Sequence, residues 1–402
     1  MKLALIASLL ILPSTSLAVE RFALVVGNDR GAAVRPRLWF ASRDAVRFSR
    51  TLVELGKFPE DHIVLLTNES AGGVRKAMQS LDARIQKARA AGENTLLFFY
   101  FSGHANADAL ELGSEQLNYA ELREWVSQSQ AHARIAMVDS CGAGELTQVK
   151  GGRFATVADF PVRPDERVEG VAYVASTALG ELAQESAALE GSFFTSYFVV
   201  AMRGAGDLDG DGQVTLSEAF RYTAGHTTAN TALTTTGPQH PTYDFRLSGR
   251  GDVVLTDLRQ AEASVKLPPA DGSLYVLRGP NRFLSEIPGL PTPQQLALPA
   301  GRYTVDRRRG TKVESVEIVL NKGEQHVLPP FGPVREISSV TKGGTARANT
   351  FGVGVGLGTL ASSGPMFAGH FAHSRPIGGV EGRLRLSFGG ATGTLQRERS
   401  YS

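Results

Sequence analysis

Short, predominantly apolar segments recur along the N-terminal half of the chain, each separated from the next by enough residues for one helix. This rhythm constrains the fold more than any other feature. Phe22 to Gly27 (FALVVG), His62 to Thr67, Thr95 to Phe101 (TLLFFYF), Arg134 to Asp139 and Val171 to Ser176 read as strands. Ala41 to Leu55, Gly73 to Ala90 and Tyr119 to Ser127 read as helices, the first with its apolar residues on one face. Short apolar strands joined by helices must be kept from water on both sides, so they assemble as a mostly parallel sheet between two helical layers. The expected class is α/β, a three-layer sandwich. In such sheets chemistry collects at the carboxyl ends of the strands, where the loops converge on one crevice.

The rhythm stops near residue 250. From 262 to 332 short strands, among them Leu274 to Leu277, Tyr303 to Val305 and Val316 to Leu320, alternate with turns containing Pro and Gly. That pattern reads as a small β-sandwich-like module. Residues 333–350 are linker-like. In 351–402, Phe351, Val353, Val355 and Leu357 interleave with glycines, and Leu384, Leu386 and Phe388 interleave with Arg383, Arg385 and Ser387. Period-two alternation suits a half-buried soluble hairpin and equally a strand of an outer-membrane barrel, and three such strands cannot close a barrel alone.

At the other end, Met1-Lys2, the apolar run Leu3 to Leu12 and the small-residue tail Ser16-Leu17-Ala18 have the layout of a secretory signal peptide, residues 1–18. The run is too short to span a membrane, which takes ~20 apolar residues. An ordinary N-terminal strand is the alternative reading. With a signal peptide, the mature chain starts near Val19 and works outside the cytoplasm, in the periplasm, outer membrane or medium.

Of 402 residues, 42 are Lys or Arg and 40 Asp or Glu, a formal net charge of +2. That balance argues against a strongly basic nucleic-acid binder and against an acidic disordered chain. A single cysteine, Cys141, excludes an intrachain disulfide, a multi-cysteine zinc site and an iron–sulfur cluster.

Cys141 follows the strand ending at Asp139, in the small-residue turn Asp139-Ser140-Cys141-Gly142-Ala143-Gly144. One strand earlier, TLLFFYF runs into Ser102-Gly103-His104-Ala105. If the two strands are neighbours, thiol and imidazole face one crevice. A thiol needs such a partner, because the thiolate is the nucleophile and a free cysteine has a pKa of ~8.5. Taken singly, a lone cysteine reads as a small buried hydrophobe and a lone histidine as a hydrogen-bonded structural residue. H-E-x-x-H, P-loop and G-x-S-x-G motifs are missing from the sequence, so rival chemistries lack their fingerprints.

With Ala23-Leu24-Val25-Val26-Gly27-Asn28, Asp44-Ala45, Tyr100-Phe101-Ser102-Gly103-His104, Asp139-Ser140-Cys141 and the stretch from Ser176 to Phe194-Thr195, the region from Arg21 to Phe245 resembles the caspase-like cysteine peptidases, in particular the metacaspase-like bacterial branch. The resemblance implies peptide-bond cleavage through an acyl-enzyme, with Cys141 as nucleophile and His104 carrying protons. It implies an oxyanion site made by the backbone N–H groups of Cys141 and Ala105. Ala105 stands where the family usually has glycine, and Gly142 where a histidine commonly follows the cysteine. The branch places an acid two residues before the cysteine, here Asp139, in the pocket for the residue preceding the scissile bond (P1), together with positions matched by Asp44 and Ser102. A carboxylate there favours Arg or Lys. Asp139 capping its own turn is the alternative. Lys150 and Arg153, in the loop after the cysteine, fit self-cleavage by such an enzyme.

Residues 207–218, D-L-D-G-D-G-Q-V-T-L-S-E, match the EF-hand calcium loop. Asp207, Asp209, Asp211 and Glu218 supply carboxylates, Gln213 its carbonyl, Thr215 an oxygen or a water contact, and Gly212 the sharp turn. Phe193 to Met202 and Leu216 to Thr223 suit the flanking helices. Four carboxylates this close repel one another without a cation, so Ca²⁺ is the expected cofactor, with no organic cofactor. Similar loops in bacterial relatives imply a local brace.

The leading reading is thus an exported cysteine endopeptidase acting on proteins or peptides after basic residues, without a nucleic-acid partner. The rival is an envelope-associated binding or scaffold protein carrying a degenerate peptidase domain.

Overall fold

The computed structural model describes residues 19–147, 168–232, 234–249, 252–270, 272–280 and 283–336, together with the backbone of the strands Thr350–Leu360, Gly364–Ile377, Val380–Gly390 and Gln396–Arg397. The segment read as a signal peptide, Lys150, Arg153 and most of the linker lie outside these residues. The chain divides into two compact units, Met1–Ile337 and Ser338–Ser402.

In the first unit the elements run β1 (Val19–Asn28), α1 (Ala41–Leu55), β2 (Ile63–Thr67), α2 (Ala71–Ala90), β3 (Asn94–Gly103), the hairpin β4 (Ala109–Leu112) and β5 (Glu115–Asn118), α3 (Tyr119–Gln128), β6 (Ala133–Asp139), the single turn α4 (Gly144–Thr147), β7 (Glu169–Ala175), the short pair β8 (Glu185–Ser186) and β9 (Gly191–Ser192), α5 (Phe193–Val200), β10 (Gln213–Thr215), α6 (Leu216–Thr231) and β11 (Thr242–Ser248). The central sheet has the order β11-β7-β6-β3-β1-β2. All pairings are parallel except β11 on β7, which closes one edge antiparallel.

The strand alternation sorts side chains into two cores. Ala23, Val25, Phe98, Tyr100, Ile135 and Met137 face α1 and α5, whereas Phe22, Leu24, Val26, Leu97, Phe99 and Phe101 face α2 and α3. Helix α1 offers Ala41, Ala45, Phe48, Leu52 and Leu55 at helical spacing, all buried. The Phe48 ring stacks on Tyr100 with centroids 4.3 Å apart. Truncating a buried phenylalanine such as Phe48 to alanine costs ~3–5 kcal/mol. Helix α2 starts at Ala71, two residues before the apolar pattern, because the Ser70 hydroxyl caps Gly73 N–H at 3.1 Å.

Beyond this layer come β12 (Val254–Asp257), which pairs with β10, and then β13 (Ala263–Leu267), β14 (Leu274–Arg278), β15 (Leu284–Pro288), β16 (Gln294–Leu298), β17 (Gly301–Arg309), β18 (Lys312–Leu320), β19 (Gln325–Val327) and β20 (Arg335–Glu336). They form two sheets, β16-β13-β19 and β15-β14-β17-β18-β20. Arg335–Glu336, in the stretch read as linker, adds to the edge of β18. Val265, Tyr275, Ile287 and Tyr303 of this module share one continuous apolar cluster with Phe194, Phe198 and Leu216. The module therefore packs on the α1–α5 side of the sandwich.

That packing ends α5 earlier than the sequence pattern implies. After Val200 the chain takes a wider turn over Ala201–Ala205, with Gly204 at φ +118°. A Cβ on Gly204 would lie 2.4 Å from the Gln295 carbonyl of β16, so only glycine lets the two backbones approach. Helix α6, in contrast, runs on past Thr223 to Thr231.

The second unit is an antiparallel sheet, β21 (Thr350–Leu360), β22 (Gly364–Ile377), β23 (Val380–Gly390) and β24 (Gln396–Arg397), in chain order. Its register sets Val353 opposite Phe371 and Phe371 opposite Leu386, so the apolar members of the alternation align across strands. Among the described residues no helix is long and apolar enough to cross a membrane, which says nothing of a β-barrel.

Candidate active site

Strands β3 and β6 are neighbours, with Ser102 opposite Asp139. Each chain then runs two residues further, to His104 and to Cys141. The register alone brings the two predicted residues to the same edge of the sheet.

His104 is nearly buried, and its Nε2 lies 2.7 Å from the Pro36 carbonyl oxygen. A carbonyl only accepts, so Nε2 carries the hydrogen. In the neutral ring Nδ1 is left with the lone pair. Gly31 lets this loop close, because a Cβ there would lie 2.8 Å from the His104 Cβ and 2.5 Å from Glu111 Oε2. Glu111, buried in β4, accepts from Ala32 N–H at 3.0 Å and from Arg35 at 3.2 Å. Arg35 also reaches the Ala105 carbonyl at 3.3 Å. Glu111 and Arg35 thus tie the loop after β1 to the loop after His104. Ala105 forms an antiparallel bridge with Leu110 in which Glu111 N–H donates to His104 and Asn106 N–H to Ala109. In such a pair Ala105's own N–H points away from Leu110.

Cys141 is partly exposed, with Sγ 3.9 Å from the Ala183 carbonyl. Gly142 has φ +68°, and its N–H donates to the Glu181 carbonyl at 3.2 Å. The segment after β7 therefore flanks the turn that presents the thiol. Burial pushes the thiol pKa up, offset only in part by the Ala183 contact and the Arg35 charge. A thiol held protonated needs a base to react. Exposed apolar side chains surround this edge of the sheet: Val34 and Trp39 after β1, Leu179 and Leu182 after β7.

Asp44, Ser102 and Asp139 are all buried. Asp139 Oδ2 accepts from the hydroxyls of Ser192 and of Thr195, the latter at 2.7 Å, while Oδ1 is buried without a hydrogen-bond partner. The carboxylate is bound to the first turn of α5 and not to its own turn. Asp44 Oδ1 takes Arg47 Nη2 at 2.8 Å and Oδ2 takes Ser192 N–H at 2.8 Å. Ser192 thereby spans both acids. Glu185 accepts from the backbone N–H groups of Trp39 and Phe40. Burial raises the carboxyl pKa of Asp44 to about 7, against the opposing pull of Arg47. Burial also raises Asp139, against the hydrogen bonds it accepts, and raises Glu185, which the charges of Asp139 and Asp29 push up further. The result is a cluster of three carboxyl groups beside the single cation Arg47, with one carboxylate oxygen unanswered.

Sequence reasoning missed Pro36, Arg35, Arg47, Glu111, Glu185 and Ser192. Glu111 did carry a signal, a charged residue between Leu110 and Leu112 in a short apolar strand. Arg47 stands three residues after Asp44 on α1, a spacing that pairs opposite charges, and the rest act through backbone groups or contacts distant in sequence, which leave no local pattern.

The acidic loop lies beyond the other end of α5, separated from the pocket by the length of that helix. One carboxylate oxygen from each of Asp207, Asp209 and Asp211 falls within 4.8 Å of the others. Asp207 holds Gly210 and Gly212 N–H, and those two glycines have φ of +76° and +81°. Glu218 closes the loop, accepting Leu208 N–H at 3.1 Å with Oε1 and Thr215 N–H at 2.9 Å with Oε2. Thr215 returns a bond to Glu218 N–H in a capping box. Gln213 begins β10 and pairs with Asp257. An all-oxygen set on a loop already curled by glycines suits a hard cation such as Ca²⁺.

A family model described as the caspase domain of peptidase C14 matches residues 20–249, from β1 to the end of β11. The chain belongs to the caspase-domain family. The match takes in the whole central sheet and both strand ends, whereas the β module and the C-terminal sheet lie outside it. No curated protein matches the chain. A caspase domain is a cysteine-peptidase domain, and its substrates are proteins or peptides.

Proposed function

We propose that this caspase-domain protein is an exported cysteine endopeptidase that cleaves after Arg or Lys. The observation that carries the basic preference is Asp139: a buried carboxylate with one oxygen unpartnered, beside Asp44 and Glu185. Leaving such a group unsatisfied is costly, and a P1 guanidinium or ammonium satisfies it while cancelling like-charge repulsion. Export rests on the N-terminal sequence.

In the reaction, Cys141 Sγ attacks the scissile carbonyl as its proton passes to His104 Nδ1. The Pro36 carbonyl keeps the ring oriented and stabilises the imidazolium through Nε2–H. Backbone N–H groups of Cys141 and Ala105 receive the oxyanion. When the C–N bond breaks, His104 gives the proton to the departing amine and leaves a thioester on Cys141. Water then attacks the thioester, with His104 taking its proton, and the acid product leaves with the thiol restored.

Asp207, Asp209, Asp211 and Glu218, with the Gln213 carbonyl and Thr215, would hold Ca²⁺. Bound there, the ion neutralises clustered carboxylates and braces the connection from α5 to α6.

The test is a panel of reporter peptides differing only at P1, together with a thiol-reactive peptidyl-arginine warhead. Cleavage of Arg and Lys reporters that disappears in Cys141→Ala, with warhead labelling that also requires His104, is the expected result. An inert Cys141 in a well-folded protein overturns the assignment and leaves a scaffold with a degenerate peptidase domain. Cell fractionation that finds the protein in the cytoplasm overturns the export.

A further inference from the structure

A second site lies at the seam between the caspase domain and the β module, away from the thiol. Helix α1, the end of α5 and strand β15 enclose an open cleft. Val199, Phe283 and Leu284 line it together with three arginines, Arg47, Arg50 and Arg203. The cleft exists only because the module docks there, since Phe283 and Leu284 come from the module and the arginines from the caspase domain.

The cations are incompletely answered. Arg203 is nearly buried, and gives Nη2 to Glu54 at 2.6 Å and to the Thr51 hydroxyl at 3.3 Å, and Nη1 to the Ala297 carbonyl at 3.2 Å. Its guanidinium lies over the Phe283 ring at 5.5 Å. Its Nε–H is buried without an acceptor. Arg47 shows the same deficit at one atom: Nη2 is held by Asp44 and Ser196 and Nη1 by the Leu189 carbonyl, while Nε–H has no partner. Arg50 is exposed and makes no hydrogen bond or ion pair among the described residues. Three positive charges therefore meet two carboxylates, Asp44 and Glu54, of which Asp44 is committed on both oxygens. Two orphaned donors and an unpaired cation beside an apolar lining form a receptor for a group that is negative at one end and apolar at the other.

We propose that this cleft binds a small amphipathic anion, a carboxylate carried on a hydrocarbon body, with the carboxylate among Arg47, Arg50 and Arg203 and the hydrocarbon against Phe283 and Leu284. The planar fork of a guanidinium matches a carboxylate in two parallel bonds, which an ammonium cannot do. The apolar body takes the apolar lining from water. Arg47 serves both sites, so the occupied cleft is one side chain from the acidic pocket.

Octanoate is the probe, titrated calorimetrically into the full chain, with octanol and acetate as controls. Binding is read directly, so the result is independent of whether the protein cleaves peptides. Octanoate is expected to bind saturably, octanol and acetate to bind at least tenfold more weakly. Arg50→Gln, at an exposed position that does not support the fold, is expected to weaken octanoate by roughly tenfold, the worth of one charge-assisted contact. Leu284→Glu, which places a like charge in the apolar lining, is expected to abolish it, with thermal unfolding confirming that the variant is folded. The proposal is overturned if octanoate fails to bind, if octanol binds as well, or if Arg50→Gln and a folded Leu284→Glu bind like the parent.

Discussion

Asp139→Asn isolates one charge in the acidic pocket with little change of shape. The carboxamide oxygen takes the place of Oδ2, still accepting the Ser192 and Thr195 hydroxyls, and the NH₂ occupies the position of the unpartnered Oδ1. The variant is therefore expected to fold. With an arginine at P1, the parent forms a buried ion pair and the variant leaves the guanidinium unanswered. Breaking one partner of such a pair costs about 3–5 kcal/mol. At ~1.4 kcal/mol per tenfold, kcat/KM for an Arg reporter falls roughly a hundred- to several-thousand-fold. A citrulline reporter, neutral and nearly the same shape, changes by less than about tenfold, since it loses no ion pair. The assay is the ratio of kcat/KM for Arg over citrulline in parent and variant, with a thermal melt as the folding control. Burial raises the Asp139 pKa, so the parent's ratio should grow as pH rises and the carboxyl ionises, while the variant's ratio stays flat. A folded Asp139→Asn that keeps the parent's ratio, or that loses both reporters equally, refutes a direct role for the charge.

Other consequences can be measured separately. The Asp44 carboxyl is raised from 3.8 to about 7, so the folded state keeps a proton that the unfolded chain releases in that window. Stability should fall as pH rises from about 4 to 7; Asp44→Asn should remove that slope, and denaturant midpoints at pH 5 and 8 that differ as much in the variant as in the parent contradict it. Ca²⁺ at about a hundred times its Kd should stabilise the protein by ~2.7 kcal/mol. Asp209→Ala, which removes an exposed carboxylate bonded only to Asp211 N–H, should abolish that gain in a melt with and without chelator, and an equal gain in both proteins argues against the loop as the site. Gly142→Ala places a Cβ at φ +68° but only 3.7 Å from the Asn106 carbonyl, an ordinary contact. The expected cost is the left-handed backbone alone, ~1–2 kcal/mol by chemical denaturation, and a loss of several times that size points to a clash.

Period and composition were enough to read five of the six strands of the central sheet, the helices that cover it and the positions of His104 and Cys141 just past two strand ends, but not the antiparallel edge strand β11 or the β4–β5 hairpin. Burial of a parallel sheet on both faces writes itself into every strand, and a turn of small residues after a strand is visible within a few positions. The acidic loop was equally legible, because its spacing is a local property of one loop. The Pro36 carbonyl on His104, the Arg35–Glu111 tie and the joint hold of Ser192 on Asp44 and Asp139 were not legible. Each joins groups far apart in sequence, and two of the three use backbone atoms that every residue possesses. The early end of α5 belongs with them: Phe193 to Met202 is apolar throughout, but the approach of the Gln295 carbonyl to Gly204 widens the helix after Val200. The arginine cleft is the extreme case, since half its lining comes from a module outside the caspase match. Local chemistry determined what the elements are, and only long-range packing decided which unpaired charges and donors they bring together.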